Sequence, residues 1–180
     1  MSASAKGKQA RKLAAFERVV SEYEAPLLRY ASRLLMNSDL AQDVVQNTFI
    51  RFFRRWKDVM EPSPQVSSWL YRVAHNCAVD ILRSESRRKA MHEKHAEDRI
   101  DFHPPDRGRG FRISEAAARA AAALQTLSLR ERELVVLKVY EEKSYKEIGE
   151  IMGLTVSNVG YILHHAMKKL AAELNRTKSS

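Results

Sequence analysis

Residues 144–169 read SYKEIGEIMGLTVSNVGYILHHAMKK, and the fold turns on how that run divides. Ser144 with Glu147 three residues on has the form of a capping box, the mark of a helix start. Ile148 and Ile151 give the short helix after it an apolar side, and Gly153 suits a tight turn because glycine tolerates positive φ. Beyond it, Val156, Val159, Ile162, Leu163, Ala166 and Leu170 recur at helical spacing, with a basic end at Lys168-Lys169. The pattern predicts a helix-turn-helix with Val159, Ile162 or Leu163, and Ala166 buried, whose second helix can enter a major groove. Its exposed side offers Ser157, Asn158, Tyr161, His164, His165 and Lys168, all able to reach base edges or phosphates. The same pattern also fits an αα-hairpin that only packs.

Upstream, a second capping box, Ser128 with Glu131, opens a helix carrying Leu134, Val135, Leu137 and Tyr140. Before it runs an alanine-rich helix from Ser114-Glu115 to about Leu127, with Ile113, Ala117, Ala121 and Leu124 on one face. From His92 to Arg112 the chain is charged and apolar-poor and contains Pro104-Pro105, Gly108 and Gly110, which reads as a linker. A helix from about Ser68 precedes the linker. Leu70, Val73, Ala74, Cys77, Ala78 and Ile81 form its core stripe, and Arg83, Arg87, Arg88 and Lys89 its basic end. Glu61-Pro62-Ser63-Pro64 separates it from a helix capped by Ser38 or Asp39, whose apolar face holds Leu40, Val44, Val45, Phe49, Phe52, Phe53 and Trp56. The first helix carries Phe16, Val19, Val20, Tyr23, Leu27, Leu28, Ala31, Leu34 and Leu35, with Pro26 as a kink or the start of a second segment. No strand-like alternation is long enough to build a sheet. The expected architecture is all-α: a basic tail (1–12), a helical domain (13–91), a linker (92–113), a second helical domain (114–175) and a short tail (176–180).

The composition bounds the function. With 180 residues the chain holds one ordinary domain or two small ones. Lys plus Arg number 31 against 22 Asp plus Glu, a formal net charge of +9, which favours anionic partners such as nucleic acid. The single cysteine, Cys77, excludes an intramolecular disulfide and a cysteine-based zinc cluster, which fits a reducing, cytoplasmic setting. No run approaches the roughly 18–20 apolar residues of a membrane span, and no export signal is expected at the N-terminus.

Two further segments carry chemistry. Trp69, Tyr71, Arg72, His75, Asn76, Arg83, Arg87 and Arg88 interleave aromatic and basic groups as single-stranded nucleic acid requires; the alternative is that Trp69 is core and the arginines a solvated helix end. Asp43, Gln46 and Asn47 sit one turn apart on the polar face of their helix, where they could dock a partner's helix or merely be solvated. An enzyme finds little support. His92, His95 and His103 have a metal-like spacing but lie in the polar linker, and no P-loop, dinucleotide fingerprint or nucleophile motif is present. No cofactor is expected.

With these residues in view, the chain resembles the sigma-70 family of bacterial RNA polymerase specificity factors, in particular the extracytoplasmic-function subgroup. Leu40 to Phe49 (LAQDVVQNTF) is similar to the family's A-E-D-L-V-Q-E-x-F helix, and Ser68 to Asn76 with Asp80 and Arg83 to its W-L-x-x-I-A-x-N-x-x-x-D-x-x-R segment. Leu127 to Glu133 and Ser144 to Gly149 resemble L-x-x-x-x-R-E and S-Y-x-E-I-A, in the family's order. The resemblance implies that Asp43, Gln46 and Asn47 grip core RNA polymerase, and that Arg72, Asn76, Asp80, Arg83 and Arg87 lie near the minus 10 DNA. It implies that the loop from Glu61 to Ser67 holds a base flipped from the nontemplate strand, and that Ser157, Asn158, Tyr161, His164, His165 and Lys168 read the minus 35 duplex. It also implies an anti-sigma partner. Where the family's second helix usually reads T-V-K-S-R-L-x-R-A, this chain has Asn158 to Ala166 (NVGYILHHA), without arginine or lysine, so bidentate arginine-to-guanine contacts are absent there. Asn47 stands where an acidic residue is frequent. The competing reading is a stand-alone helix-turn-helix regulator that binds duplex DNA without polymerase; it leaves the first half unexplained, and the chain has no heptad seam for the usual dimer.

Overall fold

A computed structural model describes residues 3–56, 60–93 and 115–176, and among these the chain is helical with no strand. The elements are α1 (Ala3–Leu35), α2 (Ser38–Arg55), α3 (Pro64–Glu93), α4 (Glu115–Gln125), α5 (Leu129–Val135), α6 (Tyr145–Met152) and α7 (Val156–Arg176). A π-helical turn, Val136–Tyr140, continues α5. The chain divides into two compact units, the first built on α1, α2, α3 as far as Val79 and the end of α6, the second on the rest of α3, α4, α5, the start of α6 and α7.

In the first unit α1 lies on α2. Val19, Leu27, Tyr30, Ala31 and Leu34 of α1, Ala41, Val44 and Phe52 of α2, and Val66, Leu70, Ala74 and Ala78 of α3 are almost wholly removed from solvent. Their three- and four-residue steps are what put them on one side of each helix. Burying each of the larger ones stabilises by about 1.5–3 kcal/mol. Of the aromatic stripe on and after α2, Phe49 and Phe52 are core, as the spacing suggested, while Phe53 and Trp56 are half-buried: Phe16 meets Phe53 edge-on at 5.1 Å and Phe49 at 6.3 Å, and Phe52 packs tilted against Trp56 at 4.6 Å.

Several boundaries differ from the sequence reading, each for a local reason. Residues 3–12 are the first turns of α1 and not a tail; Lys12 anchors them, its Nζ donating to the Phe53 carbonyl at 3.3 Å and lying 4.5 Å over the Phe53 ring. The helix passes through Pro26 without ending. It stops at Met36, whose positive φ of 55° and N–H bond to the Ser32 carbonyl (2.9 Å) form a left-handed C-cap. The cap of α2 is Asn37, one residue ahead of the expected Ser38 or Asp39: its side-chain oxygen accepts from the N–H groups of Asp39 and Leu40, both at 3.0 Å. Helix α3 begins at Pro64 and not Ser68, because a proline at the first helical position gives up an N–H that would have no helical partner anyway. Ser63 caps it, with Oγ accepting from the Val66 N–H at 3.3 Å.

In the second unit both expected capping boxes are formed. The Ser128 N–H donates to Glu131 Oε2 at 2.9 Å and the Glu131 N–H to Ser128 Oγ at 3.4 Å; for Ser144 and Glu147 the corresponding distances are 2.8 and 3.2 Å. Arg132 Nε ties α5 back to the end of α4 through the Leu124 carbonyl at 3.0 Å. The core gathers Leu134, Val135, Val136, Leu137, Ile148, Val159, Leu163 and Ala166. Leu163 rather than Ile162 is the buried member of α7's ambiguous pair, and Tyr140 is exposed, not core. On α4 the buried residues are Ala123 and Leu124, while Ala121 is half-buried; Ile113 lies outside the described residues, as does nearly all of the expected linker.

Candidate functional site

The residues singled out from sequence lie on three solvent-facing stripes. On α2, Asp43, Gln46 and Asn47 are exposed while Val44, Val45 and Thr48 beside them are buried. Thr48 Oγ1 donates to the Val44 carbonyl at 2.7 Å, so its hydroxyl is satisfied within the helix. The polar face of α2 is therefore available along its length.

On α3, Arg72, Asn76, Asp80, Arg83 and Arg87 are all exposed, and steps of four, four, three and four residues keep them within an arc of roughly 80°. Arg87 Nε donates to the Arg83 carbonyl at 3.3 Å. The aromatic half of the interleaved segment is different: Tyr71 and His75 are buried. Tyr71 meets Tyr30 edge-on at 5.5 Å, and Tyr30 Oη lies 3.4 Å from His75 Nδ1. Both belong to the core and cannot stack on bases. Trp69 is half-buried, edge-on to Trp56 at 4.7 Å and 5.9 Å from Phe52.

On α7, Ser157, Asn158, Tyr161, His164, His165 and Lys168 are all exposed, opposite the buried Val159, Leu163 and Ala166. Tyr161 is 68% exposed. Its ring lies 4.4 Å from that of His165, and His165 is edge-on to His164 at 5.6 Å. The helix is set by the turn ahead of it: Gly153 has φ +67°, the Leu154 N–H donates to the Gly149 carbonyl at 2.9 Å, and Thr155 Oγ1 accepts from the Asn158 N–H at 3.2 Å. Lys169 does not join this face; its Nζ donates to Glu131 Oε1 at 2.6 Å and fastens α7 to the start of α5. That bond, helped by Ser128, holds the Glu131 carboxyl below its ordinary range.

Four features escaped the sequence reading. Arg18 forks onto Glu61, Nε to Oε2 at 2.8 Å with Nη2 on Oε1, and this keeps the Glu61 carboxyl below its ordinary value. Tyr23 Oη donates to the Ser63 carbonyl at 3.2 Å. Glu133 is buried, which pushes its carboxyl up to about 7 against the pull of Arg130 and Arg132. At Gly149 a Cβ would stand 2.6 Å from the Leu154 carbonyl oxygen. No local signal announces the two contacts from α1, whose partners are about forty residues away; the glycine before a turn was the one visible hint of close approach.

Among the described residues no group of His, Cys, Asp and Glu could hold a metal, and no helix is long and apolar enough to cross a membrane. The positions of His95 and His103 lie outside the described residues. What the fold and its faces define is a helix-turn-helix protein with a second helical unit and a long helix, α3, that carries a basic stripe.

Comparison with known proteins sharpens that class. Family models of Sigma-70 region 2 and Sigma-70, region 4 match residues 19–88 and 117–170. The ECF RNA polymerase sigma factor SigE of Mycolicibacterium smegmatis is 29% identical over 164 residues, 91% of this chain but only 63% of that protein. The chain thus spans less than two thirds of SigE's length. SigL of Mycobacterium tuberculosis is 28% identical over 170 residues, 93% of either chain. The fold is similar to that of the sigma factor RpoE from Bartonella quintana, solved with the anti-sigma factor NepR (TM-score 0.67, 20% identity, 89% of this chain and 96% of that one). It is similar also to CnrH, solved with the cytosolic domain of CnrY (TM-score 0.66, 26% identity, 93% and 94%). The chain belongs to the sigma-70 family, with the extracytoplasmic-function members as its relatives.

Proposed function

We propose that the protein binds core RNA polymerase, recognises a bipartite promoter and helps to open it, and carries out no covalent chemistry itself. The observation that carries this reading is the pairing, in one chain, of matched regions 2 and 4 with three exposed stripes on α2, α3 and α7. Asp43, Gln46 and Asn47 would dock on polymerase. Arg72, Asn76, Asp80, Arg83 and Arg87 would line the minus 10 strand, with the segment from Glu61 to Ser67, whose residues from Pro64 on are the first turn of α3, accepting an unstacked base; unstacking costs a few kcal/mol, so opening needs a pocket that rewards the flipped state. Ser157, Asn158, Tyr161, His164, His165 and Lys168 would read the minus 35 duplex. Residues 13–91 and 114–175 are the working domains in this reading, and 92–113 the linker.

The setting would be the cytoplasm, where core polymerase works. No cofactor is required. A protein partner that holds the factor inactive belongs to the proposal, since CnrH, 26% identical, was solved with the cytosolic domain of CnrY. The test is run-off transcription from a genomic fragment library with purified bacterial core polymerase, with and without the protein. New discrete transcripts are expected, and their aligned starts give the promoter. A stable complex with core but no transcripts would make the protein a regulator of polymerase; no complex at all would favour the independent DNA-binding regulator.

A further inference from the structure

Helix α1 begins at Ala3, well ahead of residue 19 where the match to region 2 begins. The added turns are docked from Lys12 onward. Ala15 is buried, Phe16 sits among Phe49, Phe52 and Phe53, and Lys12 holds the Phe53 carbonyl. From the same helix two side chains reach the segment Met60–Ser63: the Arg18 fork closes on Glu61, and Tyr23 Oη holds the Ser63 carbonyl. Met60 itself lines a small hollow with Lys12, Phe16 and Trp56. Arg18 and Glu61 are both more than half exposed, so their pairing adds little to global stability. A two-bond fork instead fixes direction, and Pro62 between the two anchored residues removes one backbone freedom.

We infer that the N-terminal part of α1 is a brace that positions Met60–Ser63 to receive the unstacked promoter base, with Arg18 and Tyr23 as positioning residues. This rests on the reading of that segment as the base-accepting one. A segment held from both ends before DNA arrives loses less freedom on binding, and so favours the opened strand over the duplex.

The test compares Arg18→Glu, Glu61→Arg and the double reversal Arg18→Glu/Glu61→Arg. Hydrogen exchange of the peptide covering Met60–Ser63 is followed in the free protein. Permanganate reactivity of the opened strand is followed on a promoter recovered by run-off transcription, and core binding by size exclusion. Each single reversal is expected to speed exchange and lower promoter opening by at least about threefold, with core binding and Tm unchanged; the double reversal restores both. Wild-type exchange and opening in the single variants would overturn the brace, as would loss of core binding and Tm along with opening, or a double reversal that rescues neither. If the wild-type protein opens no promoter while exchange follows the expected order, the sigma reading fails and the mechanical coupling of α1 to Met60–Ser63 stands.

Discussion

At Gly149 the α6–α7 turn folds its own backbone back onto the helix, so that any Cβ there meets the Leu154 carbonyl oxygen at 2.6 Å. Backbone on both sides leaves nothing to yield, and Gly149→Ala should destabilise the second unit by about 1–3 kcal/mol, seen as a lower urea midpoint. Gly160 behaves oppositely. A Cβ there would touch the Tyr145 ring at 3.5 Å, an ordinary contact, so Gly160→Ala should stabilise by up to about 1 kcal/mol through helix propensity. Glu133 gives the pH dependence. Burial raises its folded value to about 7 from 4.5, so between those values the native state holds more protons than the unfolded chain. This group therefore lowers stability as pH rises from about 4.5 to 7, by on the order of 3 kcal/mol at most. Glu133→Gln should be more stable than wild type at pH 8 and close to it at pH 5, measured by urea unfolding at both. Glu131 and Glu147, whose carboxyls are lowered by Lys169 and Ser144, contribute in the other direction, losing stabilisation as pH falls; they cancel in that comparison because both are present in each protein.

At the scale of the element, α7 shows what its unusual sequence does. With Lys169 engaged by Glu131, Lys168 is the cation left on the stripe singled out from sequence, beside Tyr161, Asn158 and two histidines. The logarithm of duplex affinity should fall linearly with log salt, and Lys168→Ala should reduce the slope by about 1. An unchanged slope would mean that phosphate contacts come from another element. Lys169→Ala should act differently, lowering the melting temperature of the second unit by loosening α7 from α5. The two adjacent lysines are equivalent in sequence and separate only in space.

Across the whole molecule the three stripes predict separable defects. Arg72→Ala with Asn76→Ala should leave core binding intact and reduce open-complex formation, read by permanganate reactivity. Asp43→Arg should weaken the complex with core polymerase in size exclusion while the fold, read by circular dichroism, is retained. All three positions of the polar α2 face and all five of the α3 stripe are exposed, so neither variant disturbs the core. Equal loss of core binding and opening in the Arg72/Asn76 variant would make those residues structural.

The helical class, the two capping boxes, the glycine turn and the exposure of the stripe residues were legible in the amino-acid sequence, because each depends on neighbours within about four positions and on helical period. The same locality explains the small errors: Ser38, Asp39 and Asn37 can all cap, and a proline after a serine reads as loop or as first helical turn until the chain is folded. Tyr71 and His75 looked like base-stacking groups beside arginines, and only the packing of Tyr30 against them made them core. Tertiary structure alone decided that α1 starts as early as Ala3 and is fastened at Lys12, that Arg18 reaches Glu61, that Lys169 is taken by Glu131, and that burial raises the Glu133 carboxyl to about 7. Those outcomes depend on groups up to about forty residues apart meeting at a few ångströms, and on local dielectric, neither of which is written in sequence spacing.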